Sequence, residues 1–249
     1  MKDYKVQKGT KVAPEKFHIT ILSDGPLLVY GMPPMKQQFI MLNDRREPWF
    51  FKAGKSFKTD PEPTALCRCG ESKNKPYCDG AHMHADWEPE LTASTEPLLD
   101  GAVLYKGPRV YLSDNESFCA FARMCDAHGQ VWNLVEQDSD EAEKLTIREA
   151  NHCPAGRLSA WNKTTGEPYE PELEPSLGLV EDPAIGVSGP LWIMGGIPIS
   201  SDEGFTYEVR NRVTLCRCGR SSNKPYCNGA HASAKWKDGL EGAPEGEEF

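Results

Sequence analysis

Apolar and polar residues alternate from Phe17 to Leu22, break at Ser23-Asp24-Gly25-Pro26 and resume from Leu27 to Gly31, a pattern that predicts a β-hairpin. Further strands are predicted at Gln38 to Leu42 and Pro48 to Lys52. The same order returns near the C-terminus, where Gly189-Pro-Leu-Trp-Ile-Met-Gly195 mirrors Gly25-Pro-Leu-Leu-Val-Tyr-Gly31 and a strand-like Phe205 to Val209 leads toward Leu215. Between the two units lie a strand at Arg109 to Leu112 and an amphipathic helix ahead of Cys153-Pro154. Segments 88–100 and 164–175, rich in Pro, Glu, Ser and Thr, read as linkers that set the middle apart, 1–16 as a polar flexible arm and 237–249 as a disordered tail. This leaves folded units at 17–87, 101–163 and 176–236. Each outer unit has little apolar sequence and is marginal for a core of its own, so the two are expected to pair.

One stretch occurs twice, Cys67-Arg-Cys69-Gly-Glu-Ser72-Lys-Asn-Lys-Pro76-Tyr-Cys78-Asp79-Gly80-Ala-His82 and Cys216-Arg-Cys218-Gly-Arg-Ser221-Ser-Asn-Lys-Pro225-Tyr-Cys227-Asn228-Gly229-Ala-His231. The copies differ only at Glu71/Arg220, Lys73/Ser222 and Asp79/Asn228. Each offers three thiolates and one imidazole that can converge on a small inorganic centre, with Pro and Gly folding the loop back. Structural zinc on Cys3His competes with this reading, although Cys-x-Cys is tight for tetrahedral zinc. A disulfide is a poor alternative, because cysteines two apart bridge badly. Trp87 and Trp236, each five residues past the histidine, are expected to pack over the loops rather than to act chemically.

The residues between the ligands resemble the signature of the CDGSH, or NEET, iron-sulfur family, matched at every defining position by Cys67 to His82; the second copy departs at Asn228, which keeps a capping oxygen and loses a charge. The resemblance implies a 2Fe-2S cluster in each copy, with one iron on Cys67 and Cys69 (Cys216 and Cys218) and the other on Cys78 and His82 (Cys227 and His231). It also implies an α+β, β-rich fold in which two CDGSH-type β units form an intramolecular pseudo-dimer. The middle carries Cys119-Ala-Phe-Ala122-Arg-Met-Cys125 and Cys153-Pro154-Ala-Gly156. It resembles bacterial single-cluster ferredoxins in which the second of four cysteines is missing, here Ala122. That implies a small ferredoxin-like α+β domain holding a 3Fe-4S cluster on Cys119, Cys125 and Cys153. The alternative is 4Fe-4S, with water or a histidine such as His128 or His152 at the fourth corner.

Composition narrows the function. The chain has 249 residues, 39% hydrophobic and 26% charged, with a mean hydropathy of −0.56, as in a soluble intracellular protein. Its most apolar run, Pro190 to Ile199, is about half the length a bilayer needs. A net charge of −9 argues against a nucleic-acid surface. Basic residues near the motifs (Arg68, Lys73 and Lys75; Arg217, Arg220 and Lys224) are expected on a solvated loop face. No phosphate loop, dinucleotide fingerprint or Ser-His-Asp set is present. The expectation is a cytoplasmic, non-enzymatic one-electron carrier between a reductase and an oxidoreductase acceptor. It should be a monomer with an internal pseudo-twofold and have no membrane or nucleic-acid partner. The alternative is a cluster-transfer or redox- and pH-sensing protein with labile His-ligated clusters. The greater positive charge of the second loop predicts that its centre is reduced first.

Overall fold

The computed structural model describes residues 4–249. The N-terminal unit comprises β1 (His18–Ile21), β2 (Leu27–Tyr30), β3 (Met35–Leu42), β4 (Pro48–Phe57) and β5 (Thr64–Leu66). The middle holds β6 (Val103–Lys106), β7 (Val110–Asp114), the helices α1 (Val131–Leu134) and α2 (Asp140–Asn151), and β8 (Leu158–Asn162). The C-terminal unit has β9 (Ser176–Asp182), β10 (Val187–Met194), β11 (Ile199–Ser201), β12 (Arg212–Leu215) and α3 (Ala230–Ser233). The fold is α+β and β-rich.

The two units exchange strands. One sheet runs β11-β1-β2-β5 and the other β12-β10-β9-β3-β4, so each unit's hairpin takes a parallel neighbour from the other: β11 beside β1, β3 beside β9. The repeat is reproduced in register, with Leu27 opposite Leu66 in one sheet and Leu191 opposite Leu215 in the other. A strand buried on one face specifies its register, because a one-residue slip would turn its apolar set to water. Ile19, Ile21, Leu27 and Val29 from one unit and Leu177, Leu179, Leu191 and Ile193 from the other enter one continuous core. Each such side chain contributes roughly 2 kcal/mol when fully buried.

The middle segment sets β6-β7-β8 against α2. Ser139 caps α2 by accepting from the Ala142 N–H, and Asp140, Glu141 and Glu143 in the first turn oppose the positive end of the helix dipole. Ala142, Thr146, Glu149 and Ala150 face inward. The helix ends at His152, which delivers Cys153-Pro154 to the interior.

Several sequence expectations are corrected. Phe205 to Val209 is not a regular strand; it makes isolated bridges from Thr206 to Ser200 and from Val209 to Val6. The arm expected to be flexible is docked, with Gln7 N donating to the Val209 carbonyl and Ala13 N to Gly196; the first three residues of that span lie outside the described residues. The tail expected to be disordered adds to the free edge of β4, where Phe51 and Phe249 exchange backbone hydrogen bonds and the Phe249 ring packs on Phe51 and Trp192. Its apolar last residue outweighs its acidic composition. The linkers are docked as well: Ala93 N donates to the Lys224 carbonyl, and Glu170 pairs with buried Arg212. No helix among the described residues is long and apolar enough to cross a membrane.

Candidate metal centres

Both repeated loops are built alike. Cys67 N donates to the Pro76 carbonyl and Cys216 N to Pro225; Cys78 N reaches Ala65 and Cys227 N reaches Thr214. Ser72 Oγ closes one loop on the Tyr77 carbonyl at 2.6 Å, and Ser221 Oγ closes the other on Tyr226 at 2.7 Å. Lys75–Pro76 and Lys224–Pro225 are both cis. At the expected helix start, Asp79 Oδ1 accepts from Ala81 N and Asn228 Oδ1 from Ala230 N. The substitution at Asn228 changes the second contact: Asp79 Oδ2 accepts from Lys73 N, whereas Asn228 Nδ2 donates to Ser222 Oγ.

The donors come in pairs. Cys67 and Cys69 sulfurs stand 3.7 Å apart, Cys216 and Cys218 3.8 Å. Cys78 Sγ is 3.4 Å from His82 Nδ1, and Cys227 Sγ is 3.4 Å from His231 Nδ1. Two thiolates bound at about 2.3 Å to one tetrahedral metal are about 3.8 Å apart, and a thiolate and an imidazole about 3.5 Å, so each pair fits one metal atom. No three His, Cys, Asp or Glu side chains gather as a single-ion site among the described residues. Paired donors suit two metal atoms per loop better than one zinc. The hydrogen bond shared within each pair lowers one thiol and raises its neighbour, Cys67 against Cys69 and Cys216 against Cys218.

The loops meet back to back. A Cβ on Gly70 would collide with the Cys218 carbonyl, and one on Gly219 with the Cys69 carbonyl. The surroundings differ nonetheless. His82 and Cys78 are half-buried, whereas His231 and Cys227 are buried; burial pushes His231 down to about 4, keeping it neutral.

The arginines between the paired cysteines are not on a solvated face, contrary to the sequence expectation. Arg68 is 2% and Arg217 5% exposed, and Lys224 is buried too. Arg68 donates only to backbone carbonyls, those of Leu22, Ser23, Gly25 and Pro89, and stacks on Trp87. Arg217 stacks on Trp236 and is matched by the carboxylates of Glu181 and Asp238. Trp87 Nε1 donates to the His82 carbonyl, and Trp236 packs with Cys216 and Cys218. Sequence reasoning missed the arginine clamp; its one signal was the recurrence of Arg at the same position in both copies.

In the middle segment, Cys119, Cys125 and Cys153 line one small cavity of ≈ 20 Å³, and Ala122 lines it with them. Phe121 and Arg123, on either side of Ala122, have φ of 56° and 62°. Such left-handed residues turn the loop sharply and are strained. The two histidines considered for a fourth corner do not line this cavity. His128 packs on Trp49, and His152 Nδ1 lies 2.8 Å from the Arg148 carbonyl with its ring against Phe249. The donors present fit a cluster held by three thiolates. This segment is not separate from the C-terminal loop: Cys227 shares an apolar cluster with Ala120 and Cys153, and a Cβ on Gly229 would stand 3.1 Å from Phe121 Cβ and 3.4 Å from the Cys119 carbonyl.

No curated protein and no solved structure matches the chain significantly. Residues 24–83 and 188–232 match the family described as iron-binding zinc finger CDGSH type. Residues 105–163 match the family described as divergent 4Fe-4S mono-cluster. The chain is therefore an iron-sulfur protein that carries two segments of the CDGSH family, one on each side of a segment of the divergent mono-cluster family.

Proposed function

We propose that the chain carries single electrons between redox protein partners, a reductase and an oxidoreductase acceptor, as a cytoplasmic, non-enzymatic monomer whose halves are related by an internal pseudo-twofold. In this reading Cys67, Cys69, Cys78 and His82 hold one 2Fe-2S cluster, and Cys216, Cys218, Cys227 and His231 hold another. Cys119, Cys125 and Cys153 hold a 3Fe-4S cluster in a ferredoxin-like domain. Bound clusters supply reversible one-electron chemistry. The chain's own residues hold, space and shield them. The observation that carries the reading is the contiguity of the donor loops: Cys119 lies against Gly229, and Cys218 against Gly70.

Iron counting with electron paramagnetic resonance on freshly isolated protein tests this. About seven irons and the signal of an oxidised 3Fe-4S centre are expected; eight irons without that signal would replace the central assignment with 4Fe-4S. Reduction that is slow or that strips iron would sink the carrier reading. The half-exposed His82 favours a second reading for the N-terminal site, cluster transfer or sensing, since water reaches that ligand. Handover of one cluster to an apo-acceptor, with the C-terminal one retained, would establish it.

A further inference from the structure

Five of the residues lining the central cavity also line a neighbouring open cleft, and Arg157 belongs to both. Its guanidinium is anchored by Asp114 and Trp132. Nη2 donates to Asp114 Oδ2 at 2.8 Å, the same oxygen accepts from Trp132 Nε1 at 3.0 Å, and the guanidinium carbon lies 5.7 Å from the Trp132 ring centre. Arg157 is 6% exposed, yet its Nε–H, fully shielded from water, has no partner among protein atoms. A buried donor left unpaired costs about 1–3 kcal/mol. The second arginine on the cavity, Arg123, is paired with buried Asp182 and also has an unpartnered Nε–H, but its side chain is 18% exposed against 7% for that of Arg157. The two Cys-x-Cys arginines are consumed by carbonyls and carboxylates.

We propose that Arg157 is the positioning and charge-setting residue of the central centre, its Nε–H donating to a cluster sulfur between Cys119 and Cys153 while Asp114 and Trp132 fix its plane. The inference rests on the reading of Cys119, Cys125 and Cys153 as cluster ligands. Despite burial, the nearby Cys119 and Cys153 sulfurs and Asp114 hold the guanidinium firmly protonated. Reduction places one additional electron on the centre and makes or breaks no bond in the chain. A fixed positive charge and a hydrogen bond to sulfur both favour the more negative, reduced form. Asp114 opposes this effect and limits it.

The test is a potentiometric titration of the full-length loaded chain, followed by the resonance signal of the central centre. Arg157→Gln should weaken reduction at least tenfold, equivalent to about 59 mV for one electron. Arg157→Lys, which keeps the charge but not the directed Nε–H, should fall between, and Arg123→Gln should shift the midpoint less than Arg157→Gln. Asp114→Asn should move the midpoint upward. An Arg157→Gln protein that loads its central cluster and titrates at the parent midpoint would overturn the proposal. Should Arg157→Gln fail to load, Asp114→Asn decides, and an unchanged or lowered midpoint there has the same force. A parent chain with no central signal, oxidised or reduced, would instead overturn the ligand reading, and the proposal with it.

Discussion

Gly219 is seated directly on the carbonyl of Cys69, and Gly70 returns the contact on Cys218. Both glycines have positive φ, 76° and 83°, so a side chain is opposed by the backbone conformation as well as by the facing loop. Gly219→Ala should destabilise the fold by on the order of 2–4 kcal/mol. Because the contact is reciprocal, visible absorption should be lost from both outer centres, not from one. Bleaching confined to the mutated loop would show that the loops are independent.

Acid should release the outer centres in sequence. His82 is half-buried and within reach of water, whereas His231 is 4% exposed. On stepwise acidification, absorption from the N-terminal centre should fall first. His82→Cys should remove that early phase, and His231→Cys should leave it in place.

The order of reduction should be the reverse of that expected from charge within the loops. Arg217 is cancelled by buried partners: Arg217 holds Asp238 low in spite of its burial, and Glu181, raised by burial to about 7, shares the pairing. This removes most of the C-terminal positive excess, and the more exposed N-terminal site then favours the additional negative charge. Titration of single-site variants should find the N-terminal centre reduced first. Asp238→Asn should raise the C-terminal midpoint and narrow the gap; the opposite order in the parent would refute the argument.

Glu149 is 1% exposed and neither carboxylate oxygen has a hydrogen-bond partner. Burial raises it to about 8 from 4.5. The folded chain therefore retains a proton that the unfolded chain gives up, and stability falls as pH rises from the ordinary carboxylate range through about 8. Glu149→Gln should be more stable than the parent at pH 8.5 by on the order of 1–3 kcal/mol, and equal to it at pH 4. Denaturant midpoints at the two pH values check this.

Much of the candidate site was legible because ligand chemistry is local. The spacing within Cys67 to His82 needs only one loop, so the pairs Cys67/Cys69 and Cys78/His82 meet through short-range geometry. The hairpin from His18 to Tyr30 was equally local. Long-range partners left no trace in the pattern. That Arg68 would be clasped by Leu22, Ser23 and Pro89 depends on a chain reversal far from its neighbours. Phe205 to Val209 has the apolar content of a strand, but its backbone is paired only at single bridges, one of them to the N-terminal arm. The tail misled through composition: its many glutamates read as solvated, while Phe249 and the free edge of β4 decided the outcome.

The exchange of β3 and β11 has a topological consequence. Each half threads a strand into its neighbour's sheet, so the covalent connection is not what keeps the halves together. A single proteolytic nick within 88–100 would leave two fragments clasped like hooked fingers. They should migrate as one particle in native buffer and separate only when both sheets are unzipped together.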